Sequence, residues 1–179
     1  MINAQLIVRA TNAEYTGENI EFSGLTTDSR AVQAGELFVA FSGENFDGHN
    51  YCAKAVELGA TGVLVSKDVK GLPENVAVFK VPNTLKAFQE IAREYRRSFE
   101  NLKVFAITGS NGKTSTKDLL AACLGAKYNV VKTQGNFNNE IGLPKTLLHE
   151  YVFNWPFYIC PSVNFLFLSF VHFSFETFL

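Results

Sequence analysis

Apolar runs of four to six residues alternate with stretches of helical spacing over the first 150 residues. Leu37-Phe38-Val39-Ala40-Phe41 follows Gly35 and predicts a strand. His49 to Leu58 spaces Tyr51, Ala55 and Leu58 by four and three, with Gly59 next, which predicts a short amphipathic helix and its stop. Gly62–Val65 and Val76–Val81 predict two more strands, separated by Gly71, Pro73 and Asn75. Asn83 or Thr84 can cap a long helix that carries Leu85, Phe88, Ile91, Ala92, Tyr95 and Phe99 on one face. Val104–Thr108 predicts a strand running into a glycine turn. A helix should follow, with Leu119, Leu120, Cys123 and Leu124 on its apolar face and Gly125 at its end. Tyr128–Val131 predicts the next strand. Strands separated by helices of this length imply βαβ crossovers and a mostly parallel sheet, hence an α/β fold. The expected domains are 1–82, then 83–150 beginning with the linking helix, with Pro82-Asn83 as the boundary.

Composition changes that picture at residue 151. The 179 residues carry 16 basic and 17 acidic side chains, a net charge of -1, and 47% are hydrophobic. This balance excludes a nucleic-acid footprint built on bulk positive charge and excludes an acidic disordered chain. Residues 151–179 hold one charged side chain, Glu176, and 8 of the 17 Phe. This segment reads as foreign to the preceding fold: a product of a shifted or read-through frame, a membrane span, or an unusual packing arm. Tyr151–Val171 is long enough to cross a bilayer, but Asn154, Pro156, Pro161, Asn164 and Ser169 interrupt it and no Lys or Arg flanks its end. Phe165–Phe178 is an expected aggregation hazard. Cys52, Cys123 and Cys160 lie far apart, with no CxxC and no His read at metal-ligand spacing. A disulfide framework or zinc site is therefore not expected, and a reducing, cytoplasmic setting fits. The N-terminus has no basic stretch followed by an apolar core, so no secretory signal is expected.

The strongest chemical signal is the turn Gly109-Ser110-Asn111-Gly112-Lys113-Thr114-Ser115 between a predicted strand and a predicted helix. Gly109 and Gly112 permit left-handed backbone and close approach to phosphate oxygens. Successive N–H groups and the helix N-terminus converge on an anion. Lys113 would reach β- and γ-phosphates, and the Thr114 hydroxyl would ligate Mg²⁺. The longer pattern G-x-x-x-x-G-K-T requires Gly at 107, where this chain has Ile107, so the motif is a shortened form. The plain alternative is a glycine turn entering a helix with a chance Gly-Lys-Thr.

Thr108–Thr114 resembles the ATP loop of the Mur ligases, the ATP-dependent amide ligases of peptidoglycan precursor synthesis, which use this shortened form. Thr26-Thr27-Asp28-Ser29-Arg30, Gly35–Ala40 and Asp47-Gly48-His49 resemble the family's N-terminal domain, which holds the UDP end of the substrate. Gly135-Asn136-Phe137-Asn138-Asn139-Glu140-Ile141-Gly142-Leu143-Pro144, with Ser115–Asp118, resembles the branch that joins D-alanyl-D-alanine to UDP-MurNAc-tripeptide. The resemblance covers roughly residues 15–150. It implies a small N-terminal UDP-substrate domain, followed by the beginning of a P-loop parallel-sheet ATPase domain. It implies ATP and Mg²⁺ as cofactors, Lys113 as the catalytic cation, and Thr27, Asp28, Ser29, Arg30, Asn136, Asn138 and Asn139 as substrate contacts. A complete enzyme of this kind is expected to act as a monomer.

Several of these residues have other readings. Asp28-Ser29-Arg30 can be a capped turn and the Asn cluster a polar turn. His49 reads more readily as a helix-start or surface histidine than as a catalyst. Arg93, Arg96 and Arg97 read as the wet face of the linking helix. Family members also carry a Mg²⁺-holding Glu on a later strand, a Lys that is often carbamylated, and a C-terminal domain that docks the amine. None is legible here, so these 179 residues alone are expected to be inactive. A non-catalytic UDP-sugar-peptide binding module, or a sister ligase adding a different amino acid, remain alternatives.

Overall fold

The structure, a computed structural model, describes residues 2–15, 18–44, 46–133, 139–149 and 157–161. It divides into two compact units, Met1–Tyr95 and Arg96–Leu179.

In the first unit, β1 (Ile2–Asn3) pairs antiparallel with β2 (Glu21–Phe22), with α1 (Ala4–Thr11) between them. The Asn3 side chain caps α1 by accepting from the Leu6 amide at 2.9 Å, and Asn12 ends the helix in left-handed backbone at φ 52°. β3 (Leu25–Thr26), β4 (Leu37–Val39), β5 (Gly62–Val65) and β6 (Ala77–Lys80) form a four-stranded parallel sheet in that order. Every residue of β4 and β5 is buried, which explains their unbroken apolar sequence. The helix expected over 49–58 starts as a 3₁₀ turn, Gly48–Tyr51, and continues as α2 (Cys52–Glu57). α3 (Thr84–Arg97) buries Ala87, Phe88, Ile91, Ala92 and Tyr95. Phe88 meets Phe41 edge-on at 5.5 Å. Each such large side chain removed from water contributes about 1.5–3 kcal/mol. By these contacts most of α3 goes with the first unit, and the division falls inside the helix, beyond Pro82-Asn83.

In the second unit, β7 (Lys103–Ile107), α4 (Lys113–Gly125), β8 (Val130–Lys132), α5 (Gly142–His149) and β9 (Phe157–Pro161) follow in order. Its sheet is parallel with β9 in the middle, between β7 and β8. Part of the segment read as foreign thus forms a central strand. An uncharged apolar run suits a strand covered on both faces, and Ile159 is fully buried. The rest of 151–179 lies outside the described residues. Among the described residues, no helix is long and apolar enough to cross a membrane.

The apolar face expected on α4 is used in part: Leu120 and Leu124 are half-buried, but the other two residues are not. Leu119 is 68% exposed and Cys123 is exposed. The half-buried stripe is Leu120, Ala121 and Leu124, aligned with the buried Lys117. Lys117 sets the helix phase because its ammonium donates to the Thr133 carbonyl at the end of β8.

Candidate functional site: two strand-end loop clusters

The glycine turn lies at the carboxyl end of β7. Gly112 sits at φ 78°, ψ -1° as the residue before α4, and Gly109 at φ 145°. A Cβ built on Gly112 meets nothing within 4 Å, so the left-handed backbone, and not crowding, demands glycine there. Gly109, Ser110, Asn111, Gly112, Thr114 and Ser115 are all exposed. The first N–H groups of a helix have no acceptor within it, and the loop's own backbone bond is Thr116 N–H to Gly112 O at 2.9 Å. The turn is therefore open to solvent at a helix N-terminus, where the first N–H groups have no acceptor within the helix. Lys113 folds back over it, its ammonium donating to the Gly109 carbonyl and, at 3.4 Å, to the Ser110 carbonyl. These are exposed contacts that an anion could replace.

Lys117, one turn further on, is 2% exposed. Its ammonium donates to Thr133 O at 2.8 Å and lies 3.8 Å from Asp118. Asp118 in turn pairs with Lys132 at 2.7 Å, which with the nearby Lys117 holds its carboxyl below the usual range. This arrangement ties the glycine-turn helix to the last described residue before 134–138. Asn136 and Asn138 fall outside the described residues. Asn139 is described: its Oδ1 accepts from the Gly142 amide at 2.7 Å and the Ile141 amide at 3.3 Å, capping α5. Its carboxamide oxygen is thus occupied by the cap.

In the first unit, the expected substrate residues follow β3. The Asp28 carboxylate grips the Arg30 guanidinium at 2.9 and 2.8 Å and also accepts the Arg30 amide at 3.0 Å. The capped-turn reading therefore describes this loop's internal bonding, with Arg30 extended into solvent. The side chains of Thr27 and Ser29 are half-buried.

The loops after β4 and β5 are tied together by residues whose linkage sequence spacing does not show. His49 is buried, not on the surface. Its Nε2 accepts from the Ser66 amide at 2.9 Å, so Nδ1 carries the proton and donates to Asp47 at 2.6 Å. Asp47 also pairs with Lys67. These bonds, first that from Lys67 and then those from His49, hold the Asp47 carboxyl well below its ordinary range. Cys52 nearby is pushed up to about 11, by burial first and by the Asp47 charge second. The only local signal for Ser66 and Lys67 is that they follow a buried strand directly.

One further expectation is changed by the geometry. Arg93 and Arg96 are not fully wet: each buries its Nε, and Arg93 pairs with Glu90 at 2.9 Å. A cavity of about 380 Å³ opens between the end of α1, residues 81–83 and the Lys86–Arg93 face of α3, and none of the sequence-predicted site residues lines it. Among the described residues, no group of three or more His, Cys, Asp or Glu could hold a metal ion.

Comparison with known proteins matches both units. A model of the Mur ligase family, catalytic domain, matches residues 21–96, and a model of the Mur ligase middle domain matches residues 107–154. The UDP-N-acetylmuramoyl-tripeptide–D-alanyl-D-alanine ligase of Synechocystis is 47% identical over 131 residues, which are 73% of this chain and 29% of that protein. The Bacillus subtilis ligase of the same name is 44% identical over 146 residues, 82% of this chain and 32% of that protein. Among solved structures, MurF from Acinetobacter baumannii superposes with a TM-score of 0.81 at 31% identity, covering 89% of this chain and 35% of that one. MurF ligase from Thermotoga maritima in complex with ADP gives 0.69 at 32% identity, covering 77% and 31%. The chain spans about three tenths of the length of the curated relatives it matches. Two family models in the expected order, and relatives and structures that agree with them, leave one assignment: the chain belongs to the Mur ligase family.

Proposed function

We propose that this chain carries the UDP-substrate grip and the ATP-phosphate grip of a ligase that adds D-alanyl-D-alanine to UDP-MurNAc-tripeptide. The observation that carries the reading is the open turn Gly109–Thr114, with left-handed Gly112 before a helix N-terminus and an exposed Lys113 contact that can be displaced. In this reading the substrate's terminal carboxylate attacks the γ-phosphorus of ATP to give an acyl phosphate and ADP. The amine of D-alanyl-D-alanine then displaces phosphate through a tetrahedral intermediate. The first step needs charge neutralisation more than covalent help. Gly109, Ser110, Asn111, Gly112 and Ser115 would line the phosphates through backbone N–H groups. Lys113 would leave its carbonyl partners for the β- and γ-phosphates.

Mg²⁺ fits in part: the Thr114 hydroxyl is exposed at the first turn of α4 and can supply one oxygen ligand, with phosphates and water supplying the others. Bound there, the ion would neutralise phosphate charge. Thr27, Ser29 and Arg30, with Arg30 braced by Asp28, would take the uridine diphosphate. Asn136, Asn138 and Asn139 would face the sugar-peptide.

A second reading, a UDP-sugar-peptide binding module without ligation, is favoured by β9, which carries no acidic residue. Calorimetric titration of the chain with Mg-ATP and with UDP-MurNAc-tripeptide tests both. Binding of each ligand, with Mg-ATP binding lost in Lys113→Met, supports the first. Binding of the UDP ligand alone selects the second. Robust phosphate release on adding D-alanyl-D-alanine would refute the expectation that these 179 residues are inactive by themselves.

A further inference from the structure

We infer that Lys117 is a positioning residue for the substrate: from the helix that begins at the glycine turn, it fixes the direction in which the chain leaves β8, and so where Asn136 and Asn138 meet the sugar-peptide. The inference rests on the reading that these asparagines face that part of the ligand. It gives a task to a buried cation that the phosphate grip does not use.

Burying an ammonium is costly unless the charge is well paired. Lys117 is 2% exposed, in line with half-buried Leu120, Ala121 and Leu124, where an apolar side chain would pack without that cost. Among the described residues its ammonium makes one hydrogen bond, to the Thr133 carbonyl at 2.8 Å, and the Asp118 carboxylate stands at 3.8 Å. The charge therefore does more than fill space: it aims a donor at one backbone oxygen.

That oxygen lies one residue past β8. The Thr133 amide donates to the Ile159 carbonyl of β9 at 3.1 Å. Thr133 is thus held by both backbone groups, its N–H by the sheet and its C=O by α4. A peptide unit is planar, so a fixed carbonyl fixes the plane of the link that follows it. The Thr133 hydroxyl is also fully buried, and among the described residues nothing bonds it, so Lys117 acts here on the backbone and not on the side chain. Next to this bond, Asp118 holds Lys132 at 2.7 Å, so consecutive residues of α4 grip consecutive residues of the chain leaving the sheet. The Asp118–Lys132 pair is about half exposed and contributes little; the buried bond sets the exit. Asn136 and Asn138 follow Thr133 by three and five residues. Because the anchor is the helix that starts at the glycine turn, the substrate asparagines are placed relative to the phosphate that the carboxylate must attack, and such reactions are sensitive to small misplacement.

The test is calorimetric titration of the 179-residue chain with UDP-MurNAc-tripeptide, with UDP and with Mg-ADP. Lys117→Met, apolar and of similar length, should weaken the tripeptide ligand about five-fold or more, within the range that one residue transmits through another, and leave UDP and Mg-ADP unchanged. Thr133→Val, which removes only the unbonded hydroxyl, should leave all three unchanged. A double-mutant cycle separates positioning from general loosening: with Asn136→Ala and Asn138→Ala in place, Lys117→Met should weaken the tripeptide ligand no further. Additive losses overturn the inference. Equal loss of Mg-ADP overturns it too, since the effect would then be on the helix as a whole. Should Lys117→Met melt early, Lys117→Gln, polar and one bond shorter, takes its place in the same cycle with the same expected result. If wild type binds UDP-MurNAc-tripeptide more tightly than UDP and the Lys117 variants keep that gain, the inference fails and the reading of the asparagines stands. If wild type shows no such gain, both fall.

Discussion

The two glycines at the ends of α4 make opposite predictions for one substitution. Gly112 precedes the helix at φ 78°, and a built Cβ meets no atom within 4 Å. Gly112→Ala therefore adds no clash, only the penalty of a left-handed backbone for a residue with Cβ, about 1–2 kcal/mol. At about 1.4 kcal/mol per factor of ten, the folded-to-unfolded ratio of the second unit should fall roughly ten-fold. Gly125 is the last residue of the same helix, also has open space around it, and is not among the residues with positive φ. There alanine loses nothing in the folded state and restricts the unfolded chain, so Gly125→Ala should stabilise by about 0.4–1 kcal/mol. Urea unfolding followed by far-UV circular dichroism, with the slope unchanged, separates the two variants. Nucleotide binding separates them further. If alanine relaxes position 112 towards negative φ, the first-turn amides turn away from the bound phosphate, and Mg-ADP should weaken by more than the stability loss, while Gly125→Ala leaves it intact. Equal stability of the two variants would refute the left-handed turn as the reason for Gly112. Full ADP affinity in Gly112→Ala would refute the amide cradle.

Three more outcomes follow from unit-one chemistry and from cysteine exposure. Cys52 is fully buried with its thiol pushed up to about 11, whereas Cys123 is exposed. Alkylation with peptide mapping at neutral pH should mark Cys123 quickly and Cys52 only on unfolding; rapid labelling of both would contradict the packing. Asp47 has a depressed folded pKa, so its stabilisation is fully present above the ordinary carboxylate range, near pH 4, and is lost as pH falls through the lowered value. The urea midpoint of wild type should thus exceed that of Asp47→Asn at pH 7, with the gap closing in acid; a gap that widens in acid would reverse the sign. Gly62→Ala should destabilise the first unit by about 1–3 kcal/mol through overpacking, since its Cβ would lie 2.8 Å from Phe22 and 2.9 Å from Leu37. An unchanged urea midpoint would show that this contact gives way freely.

Local chemistry was legible and tertiary chemistry was not. β5 is built over the residues its apolar run marks, and α3 over its stripe, because those patterns are long and regular. β1, β2 and β3 are two residues each, too short to show alternation, and α1, capped by Asn3, was not expected from the sequence. α5 escaped because Asn139, read for its polarity, is the cap of a helix. The phase of α4 was read only in part, because a buried lysine shares the stripe with Leu120 and Leu124. The glycine turn could be named in advance because its donors are consecutive residues. His49 does start a helical turn, as expected, but its burial was not legible because its acceptor role depends on Ser66, 17 positions away. No local pattern encodes that pairing.

β9 bears most directly on the metal. It is the strand beside β7, and their register sets Pro161 opposite Ile107, immediately before Thr108-Gly109. A residue at this end of β9 is thus close along the sheet to the glycine turn. The resemblance calls for a carboxylate on a later strand to hold Mg²⁺, and Phe157-Tyr158-Ile159-Cys160-Pro161 contains none. Asp118, the nearest acidic residue along α4, is already paired with Lys132. Among the described residues, that leaves the Thr114 hydroxyl as the one side chain proposed for the ion. Mg²⁺ dehydrates reluctantly and prefers carboxylate help, so with a single neutral ligand it should be held chiefly by phosphates and water. The affinity of the chain for ADP, measured with Mg²⁺ and again with chelator, should then differ only about two- to three-fold, less than half of the roughly 1.4 kcal/mol that a ten-fold change represents. A much larger dependence on Mg²⁺ would mean that an acidic side chain does reach the site, and the assignment of Thr114 as the sole protein ligand would fail.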